Sequence, residues 1–383
     1  MTKLEKLLEE LCPDGVEYKK IGDFVDYEQP SRYIVNNTNY DDRFNTPVLT
    51  AGQTFVLGYT AETEGVYDSS KFNPVIIFDD FTSAFKWVDF PFKVKSSALK
   101  ILNCNEKVLL RYIYYVMEKI NFKSDEHKRL WISFYSNIEI PVPPLPVQEE
   151  IVRILDNFTE LTAELTAELE ARKKQYEYYK VLLLELENIN LDLKHLSDVA
   201  DIFDSLHQTP IYSEAGFSMI RVQDVKNGYI NTSNTLKVDE SVYFDFIEKY
   251  KPKFEDIVVS RVGSYGNFAL IPNDFCCLGQ NVAIIHPNIN KKYLYYILTS
   301  SKTKIWIENN VKGAGQKSLS LADIKRIPVP VPPLPEQERI VSILDRFDAL
   351  CNDLTSGLPA EIEARKKQYE YYRDKLLTFK EKV

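Results

Sequence analysis

Cysteine is scarce and unpatterned in this chain of 383 residues. The five thiols (Cys12, Cys104, Cys276, Cys277 and Cys351) show no CxxC spacing. With an odd count, they argue for reduced cysteines in a cytoplasm rather than a disulfide framework. The four histidines (His127, His195, His207 and His286) are scattered and form no metal-ligand cluster. No apolar run reaches bilayer length, and Met1 leads straight into the charged helical stretch Thr2–Leu11, so neither a membrane span nor a signal peptide is expected. There is no Walker P-loop, no GxGxxG and no Asn-Pro-Pro-Tyr-type run. A metal-nuclease set can be forced only from Asp274, Asp323 and Lys325, and the last two sit at a Pro-rich elbow where a framework role is expected. The chain is therefore not expected to be an enzyme or to hold a cofactor or metal.

What is present is the balance of a globular protein, 44% hydrophobic and 27% charged, long enough for two or more domains. The net charge of −9 argues at first against a polyanionic partner. Its distribution softens that objection. Residues 1–75 carry 7 Lys+Arg against 13 Asp+Glu, and 147–195 carry 6 against 11. Residues 76–140 carry 10 against 8, and 251–330 reverse the balance, 11 against 5. Local fields steer a polyanion more than the total does.

One stretch occurs twice. Ile140-Pro-Val-Pro-Pro-Leu-Pro146, Gln148-Glu-Glu-Ile-Val152, Ile154-Leu-Asp156 and Arg172-Lys-Lys-Gln-Tyr-Glu-Tyr-Tyr179 recur as Val329–Pro335, Gln337–Val341, Ile343–Asp345 and Arg365–Tyr372. Such density marks an internal duplication. Each Pro-rich elbow excludes helix and leads into one, its last proline suited to a first turn. In the first copy Leu155, Phe158, Thr162, Leu165, Leu169, Arg172, Tyr176, Tyr179, Leu183 and Leu186 trace a mostly apolar seam. Val147–Glu187 as one helix would be about 60 Å long, with coiled-coil spacing. Leu344, Phe347, Tyr369 and Tyr372 are the packing positions expected of the second copy. There, Ser356-Gly357-Leu358-Pro359 predicts a break and a restart.

The repeat covers whole halves, because Tyr18–Asp26 has a counterpart in Leu193–Asp201. A frame of 1–20, 141–195 and 328–383 is expected to bracket two variable domains, 21–140 and 196–327. Strand-like runs lie at Pro47–Thr50, Pro74–Phe78 and Trp87–Phe90, closed by a helix near Leu109–Ile120. In the second domain they lie at Asp256–Ser260, Ala269–Ile271 and Val282–Ile285, closed by a helix near Lys292–Glu308. The fold class predicted is α+β: two domains separated by two long, antiparallel, coiled-coil-like helices in a pseudo-twofold internal repeat.

With Pro-Pro-Leu-Pro before a Gln/Glu-rich helix start, Ala-Arg-Lys-Lys-Gln-Tyr-Glu-Tyr-Tyr in both copies, the tandem Thr-Ala-Glu-Leu of 162–169 and Gly315–Ser320 before the second elbow, the chain resembles, end to end, the specificity (S) subunit of type I restriction–modification systems. That resemblance implies target recognition domains, each reading one half of a split double-stranded DNA sequence. It also implies two methyltransferase (M) subunits docked on the chain, and restriction (R) subunits joining them. S-adenosylmethionine, ATP and Mg would then belong to those partners. The rival readings are an S-like module of a methylation-only or other effector system, and a coiled-coil protein adaptor without DNA.

Candidate DNA contacts follow from residue chemistry. Arg261-Val-Gly-Ser-Tyr-Gly-Asn267 combines two glycines with Arg261, Ser264, Tyr265 and Asn267, where backbone approach and bidentate base contacts are both available. A plain hairpin turn would look the same. Lys312, Gln316 and Lys317 form a Gly-rich basic loop better suited to phosphates. In the first domain Lys86, Lys93, Lys95, Lys128 and Arg129 are the candidates, with Trp87 assigned to the core.

Overall fold

The computed structural model describes every residue except 1, 51–53, 121, 123–128, 186–192, 227, 229, 312–316, 354 and 383. It resolves into two compact units, 1–166 with 362–383, and 167–361.

In unit 1, Val25–Glu28, Leu99–Cys104, Val75–Asp79 and Phe85–Val88 form an antiparallel four-stranded sheet in that order. Val56–Thr60, Thr46–Leu49 and Lys93–Val94 form a second sheet, the middle strand antiparallel to the first and parallel to the last. Tyr18–Lys20 pairs antiparallel with Glu139–Pro141. The central strand Val75–Asp79 is buried along its whole length. Its alternation sends Ile76 and Phe78 to a core shared with the helix Leu110–Ile120, while Val75 and Ile77 go to a core shared with the second sheet. The C-terminal segment joins this unit. Val16 N donates to Lys380 O (2.8 Å) and Lys382 N to Val16 O (3.0 Å). Gly15, at φ +107°, has no room for a side chain, since a Cβ would stand 2.6 Å from Lys380 O.

Unit 2 repeats this topology. Its sheets are Ala200–Asp204, Val282–Pro287, Ile257–Ser260 and Phe268–Leu270, then Leu236–Val238, Phe217–Ile220 and Cys276–Leu278, with Leu193–His195 paired to Pro328–Pro330. Strand alternation again divides the cores: Cys276 faces one and its neighbour Cys277 another. Burial pushes both thiols up to about 12, and all five cysteines are free. The single helix expected near Lys292–Glu308 is two, Lys291–Leu298 and Ser301–Asn310. Ser300 between them caps the second, its side chain accepting from Thr303 N.

The duplicated residues make duplicated bonds. Gln148 is buried, donates to Pro143 O (2.8 Å) and accepts from Leu109 N (2.9 Å). Gln337 donates to Pro332 O (2.8 Å) and accepts from Asn290 N (3.1 Å). Each glutamine thus ties its elbow to the helix that closes its domain. Tyr112 and Tyr293 donate to Pro141 O and Pro330 O, both at 3.0 Å. Asp156 receives Arg111 and Tyr115, as Asp345 receives Lys292 and Tyr296.

The first long helix runs Leu145–Glu185, 41 residues. Leu155 and Tyr176 of the expected seam are buried, the other seam positions through Leu183 are half-buried, and Glu160, Glu164 and Glu168 beside them are exposed. Leu186 lies outside the described residues. The second copy is broken into Leu334–Asn352 and Leu358–Leu376. Asp353 holds the break by accepting from Thr355 N (2.7 Å) and Ser356 Oγ (2.5 Å). Phe158 stacks on Tyr372 in unit 1 (5.4 Å between ring centres). In unit 2 the equivalent residues meet with roles exchanged, Phe347 stacking on Tyr179 at 5.5 Å.

The N-terminal helix Lys3–Leu11, opened by a Thr2/Glu5 capping box, is held to unit 1 by Leu4 and by Lys3 Nζ on Glu150 (2.8 Å). Arg153 also donates to Glu150, and the two cations hold its carboxyl down to about 2, against an ordinary 4.5. The stabilisation from this depressed acid is present above pH 4.5 and is lost as pH falls towards 2. Glu150→Gln is expected to flatten the fall in unfolding midpoint across that window, measured by thermal melts at stepped pH.

Candidate nucleic-acid interface

The Arg261–Asn267 loop of unit 2 is built on the end of the strand Ile257–Ser260. Ser260 N donates to Asn267 O (3.0 Å) and Gly266 N to Ser260 O (2.8 Å), closing the turn. Gly263 and Gly266 take φ +73° and +75°, which favours glycine at both positions. A Cβ on Gly263 would meet nothing within 4 Å, so this is the part of the loop open to approach. Ser264 is exposed, whereas Tyr265 lies half-buried against the unit's core. Asn267 Nδ2 is turned back onto Ser264 O (3.0 Å). Val262 bridges to Ser318 and Leu319 N donates to Arg261 O (2.8 Å), so the segment carrying exposed Lys317 lies against this loop.

Arg261 itself is committed elsewhere. Its guanidinium pairs with Asp204 and donates through Nε to Leu319 O (3.2 Å). In this structure it braces the loop. Lys93 is a correction to the expected contacts. It is buried, with Nζ on Glu62 (2.7 Å) and on Glu64 O (2.7 Å), because it sits between Phe92 and Val94 in a strand whose residues are all buried. Lys86 is exposed on the strand Phe85–Val88, Lys95 is half-buried just after Val94, and Arg129 is exposed before the short helix Leu130–Ser133. Trp87 is half-buried under Arg111, whose guanidinium carbon stands 4.8 Å from its ring centre. Lys128, Lys312 and Gln316 lie outside the described residues.

Among the described residues of unit 2, Ser264 lines two clefts. One, of about 570 Å³, lies between the Gly263–Phe268 stretch and the helices, and is lined by three carboxylates (Glu177, Glu308 and Asp348) along with Lys180 and Lys304. The other, of about 520 Å³, lies on the far side of Ser264 and carries no carboxylate. Sequence reasoning missed it. Among the described residues no group of three or more His, Cys, Asp or Glu could hold a metal ion. Asp323 is occupied by Ser320 and Arg326. Among the same residues no helix is long and apolar enough to cross a membrane.

The family model described as "Type I restriction modification DNA specificity domain" matches residues 13–172 and again 189–364. The chain belongs to that family. It is 42% identical to the EcoR124I/EcoR124II specificity subunit of Escherichia coli, covering 99% of this chain and 97% of that one. A putative type I specificity subunit of Haemophilus influenzae is 31% identical over 99% and 98%. Among solved structures, the S subunit from M. genitalium aligns with a TM-score of 0.59 at 14% identity, over 95% and 96% of the two chains. A chain from a study of type I complex assembly and conformational transition gives 0.54 at 16%, over 96% and 98%. These two likenesses bear on the fold. The doubled family match falls on the two copies of the topology.

Within this specificity-subunit fold, the helix-packing candidates are divided between the two units. Leu155 and Leu344 are fully buried, Phe347 and Leu169 pack on the unit 2 core and Tyr369 on that of unit 1, and Leu165 is half-buried. A further repeat was overlooked: Arg111-Tyr-Ile-Tyr-Tyr115 recurs as Lys292-Tyr-Leu-Tyr-Tyr296. Pairing the two would have located the closing helices and the Asp156 and Asp345 contacts.

Proposed function

We propose that the chain reads a bipartite double-stranded DNA target, one half-site per variable domain, and carries two M subunits to which R subunits are added. It is a specificity subunit and does no chemistry itself. S-adenosylmethionine, ATP and Mg are assigned to the partners. The observation that carries this reading is the same topology built twice on differing sequence: one docking geometry presenting two sets of loops. In it, 21–140 and 196–327 are the target recognition domains, and 1–20, 141–195 and 328–383 are the frame. The long helices are read as antiparallel and related by a pseudo-twofold axis. Support comes from the course of the chain, which leaves unit 1 in the helix Leu145–Glu185 and returns to it after residue 361.

Exposed basic residues such as Lys86, Arg129 and Lys317 fit the salt-dependent, sequence-blind part of DNA affinity. Tyr178 and Tyr371 occupy equal places in the two copies and are 63% and 62% exposed. One repeated aromatic on each helix supports two equivalent M docking points. The compartment expected is the cytoplasm, where the DNA and the partners are.

The test is a base-resolution adenine methylation map of host DNA with and without the gene. A split motif that disappears on deletion, with one modified adenine on each strand, is the expected result. If co-expressed M and S give no such motif on any DNA and the complex shifts no duplex at low salt, the protein-adaptor reading replaces this one.

A further inference from the structure

The carboxylate-free cleft of unit 2 opens where two strands end and a third begins. Phe217–Ile220 runs into Arg221, Cys276–Leu278 runs into Gly279 and Gln280, and Asn281 leads into Val282–Pro287. Gly279 N donates to Ile220 O (2.8 Å), fastening the first two ends. A Cβ on Gly279 would stand 3.0 Å from Arg221 Cγ, so its bareness lets the Arg221 side chain lie across it. Asn281 is held at φ +62°, a left-handed conformation uncommon for a residue other than glycine. Its carbonyl accepts from Arg261 N (2.9 Å), and Gln280 Nε2 donates to Thr209 Oγ1 (3.2 Å). Both amides line the cleft, with Gln223, Lys226 and Ser264 around them.

Unit 1 has a counterpart of the framework with a shorter connection. There, Lys95 N donates to Leu49 O (2.8 Å) as Gly279 N does to Ile220 O. The connection after Thr46–Leu49 is short, residues 50–55, whereas that after Phe217–Ile220 spans 221–235 and brings Arg221, Gln223 and Lys226 to the cleft. The longer connection thus supplies part of the cleft's lining. The Arg221 guanidinium is held by Asp224 (Nε to Oδ2, 3.1 Å), as Arg261 is by Asp204, so neither fork is presented freely. An Asn or Gln amide offers one donor beside one acceptor, the pair that matches the major-groove edge of adenine.

We propose that this cleft reads the bases of one half-site, with Gln280 and Asn281 making the base-edge contacts and Lys226 a phosphate contact. The inference rests on the DNA-recognition reading above and places it away from the Arg261 fork. The larger cleft, with its three carboxylates, is unsuited to a polyanion.

The test uses the full chain assembled with M. Binding is measured to duplexes carrying the mapped target and each single-base substitution in either half. The variants are Gln280→Ala and Asn281→Gly, the glycine removing the amide while keeping the left-handed backbone. The expected result is a five- to hundredfold loss of discrimination, roughly the value of a bidentate base contact, at positions of one half-site only. Lys226→Ala should weaken all duplexes alike and lower the salt slope by about one. Unchanged discrimination in variants that keep the parent unfolding midpoint would overturn the cleft, as would equal loss in both halves. The recognition reading survives either result so long as the parent complex discriminates its target. A parent complex that discriminates no duplex would sink that reading instead.

Discussion

Asp80→Ala is expected to destabilise unit 1 by about 3–5 kcal/mol, the usual consequence of removing one partner from a buried ion pair. Asp80 and Lys100 are both almost wholly buried and stand 3.3 Å apart. Without the carboxylate, the Lys100 ammonium keeps Gln29 Oε1 at 3.3 Å and the face of Tyr27 at 4.0 Å, neither of which carries a balancing charge. The substitution also strips an acceptor from Trp131 N, held by Asp80 Oδ1 at 2.8 Å, and so loosens the helix Leu130–Ser133 that follows Arg129. The double variant Asp80→Ala/Lys100→Met should recover much of the loss, because an apolar pair needs no compensation. The tryptophans report the outcome by unit: Trp87 and Trp131 lie in unit 1 and Trp306 in unit 2. Fluorescence melts of single-tryptophan chains should show the early transition in the first two only. A shift of less than 1 kcal/mol would mean that water reaches Lys100 and that the pair is not the anchor of this domain.

Lys100 and Lys93 also show where a sequence is hard to read. Lys93 was expected as a DNA contact, yet it is buried in a strand beside Glu62, as Lys100 is beside Asp80. Charge tells what a side chain needs, not which way its strand turns it. The frame was legible for the opposite reason. Gln148 and Gln337, the elbows and the helix seam recur in order, and the same residues recur because the same bonds recur. The shared topology of the variable domains was not legible. It is set by backbone pairing that many apolar sequences satisfy, and strands such as Leu99–Cys104 and Ala200–Asp204 carry no turn signal of their own. The cleft was hidden too, because Arg221, Ser264 and Gln280 are distant in sequence and meet only in the folded unit.

Deleting Thr166–Leu169 is expected to abolish methylation of the parent target while leaving both half-sites legible. The segment is one of two Thr-Ala-Glu-Leu repeats inside the helix Leu145–Glu185. At 1.5 Å per residue its loss shortens the helix by about 6 Å, and four residues are slightly more than a turn, so the seam stays nearly in phase. Leu165 is then followed by Glu170 and Ala171, with Arg172 and Tyr176 still within the apolar stripe's reach. Along DNA, about 6 Å is under roughly two base pairs at ~3.4 Å each. If this helix sets the distance between half-sites, the variant should methylate the same two half-sites with a spacer shortened by about one or two base pairs. Thermal stability should fall only slightly, since Ala167 and Glu168 are exposed and Leu169 is half-buried. A deletion variant that assembles with M and still prefers the parent spacer would show that the distance is set elsewhere, with the break at 353–357 in the second copy as the next place to cut. A variant with the shorter spacer would make the repeated Thr-Ala-Glu-Leu a unit by which such a helix changes the target's length without touching either reading surface.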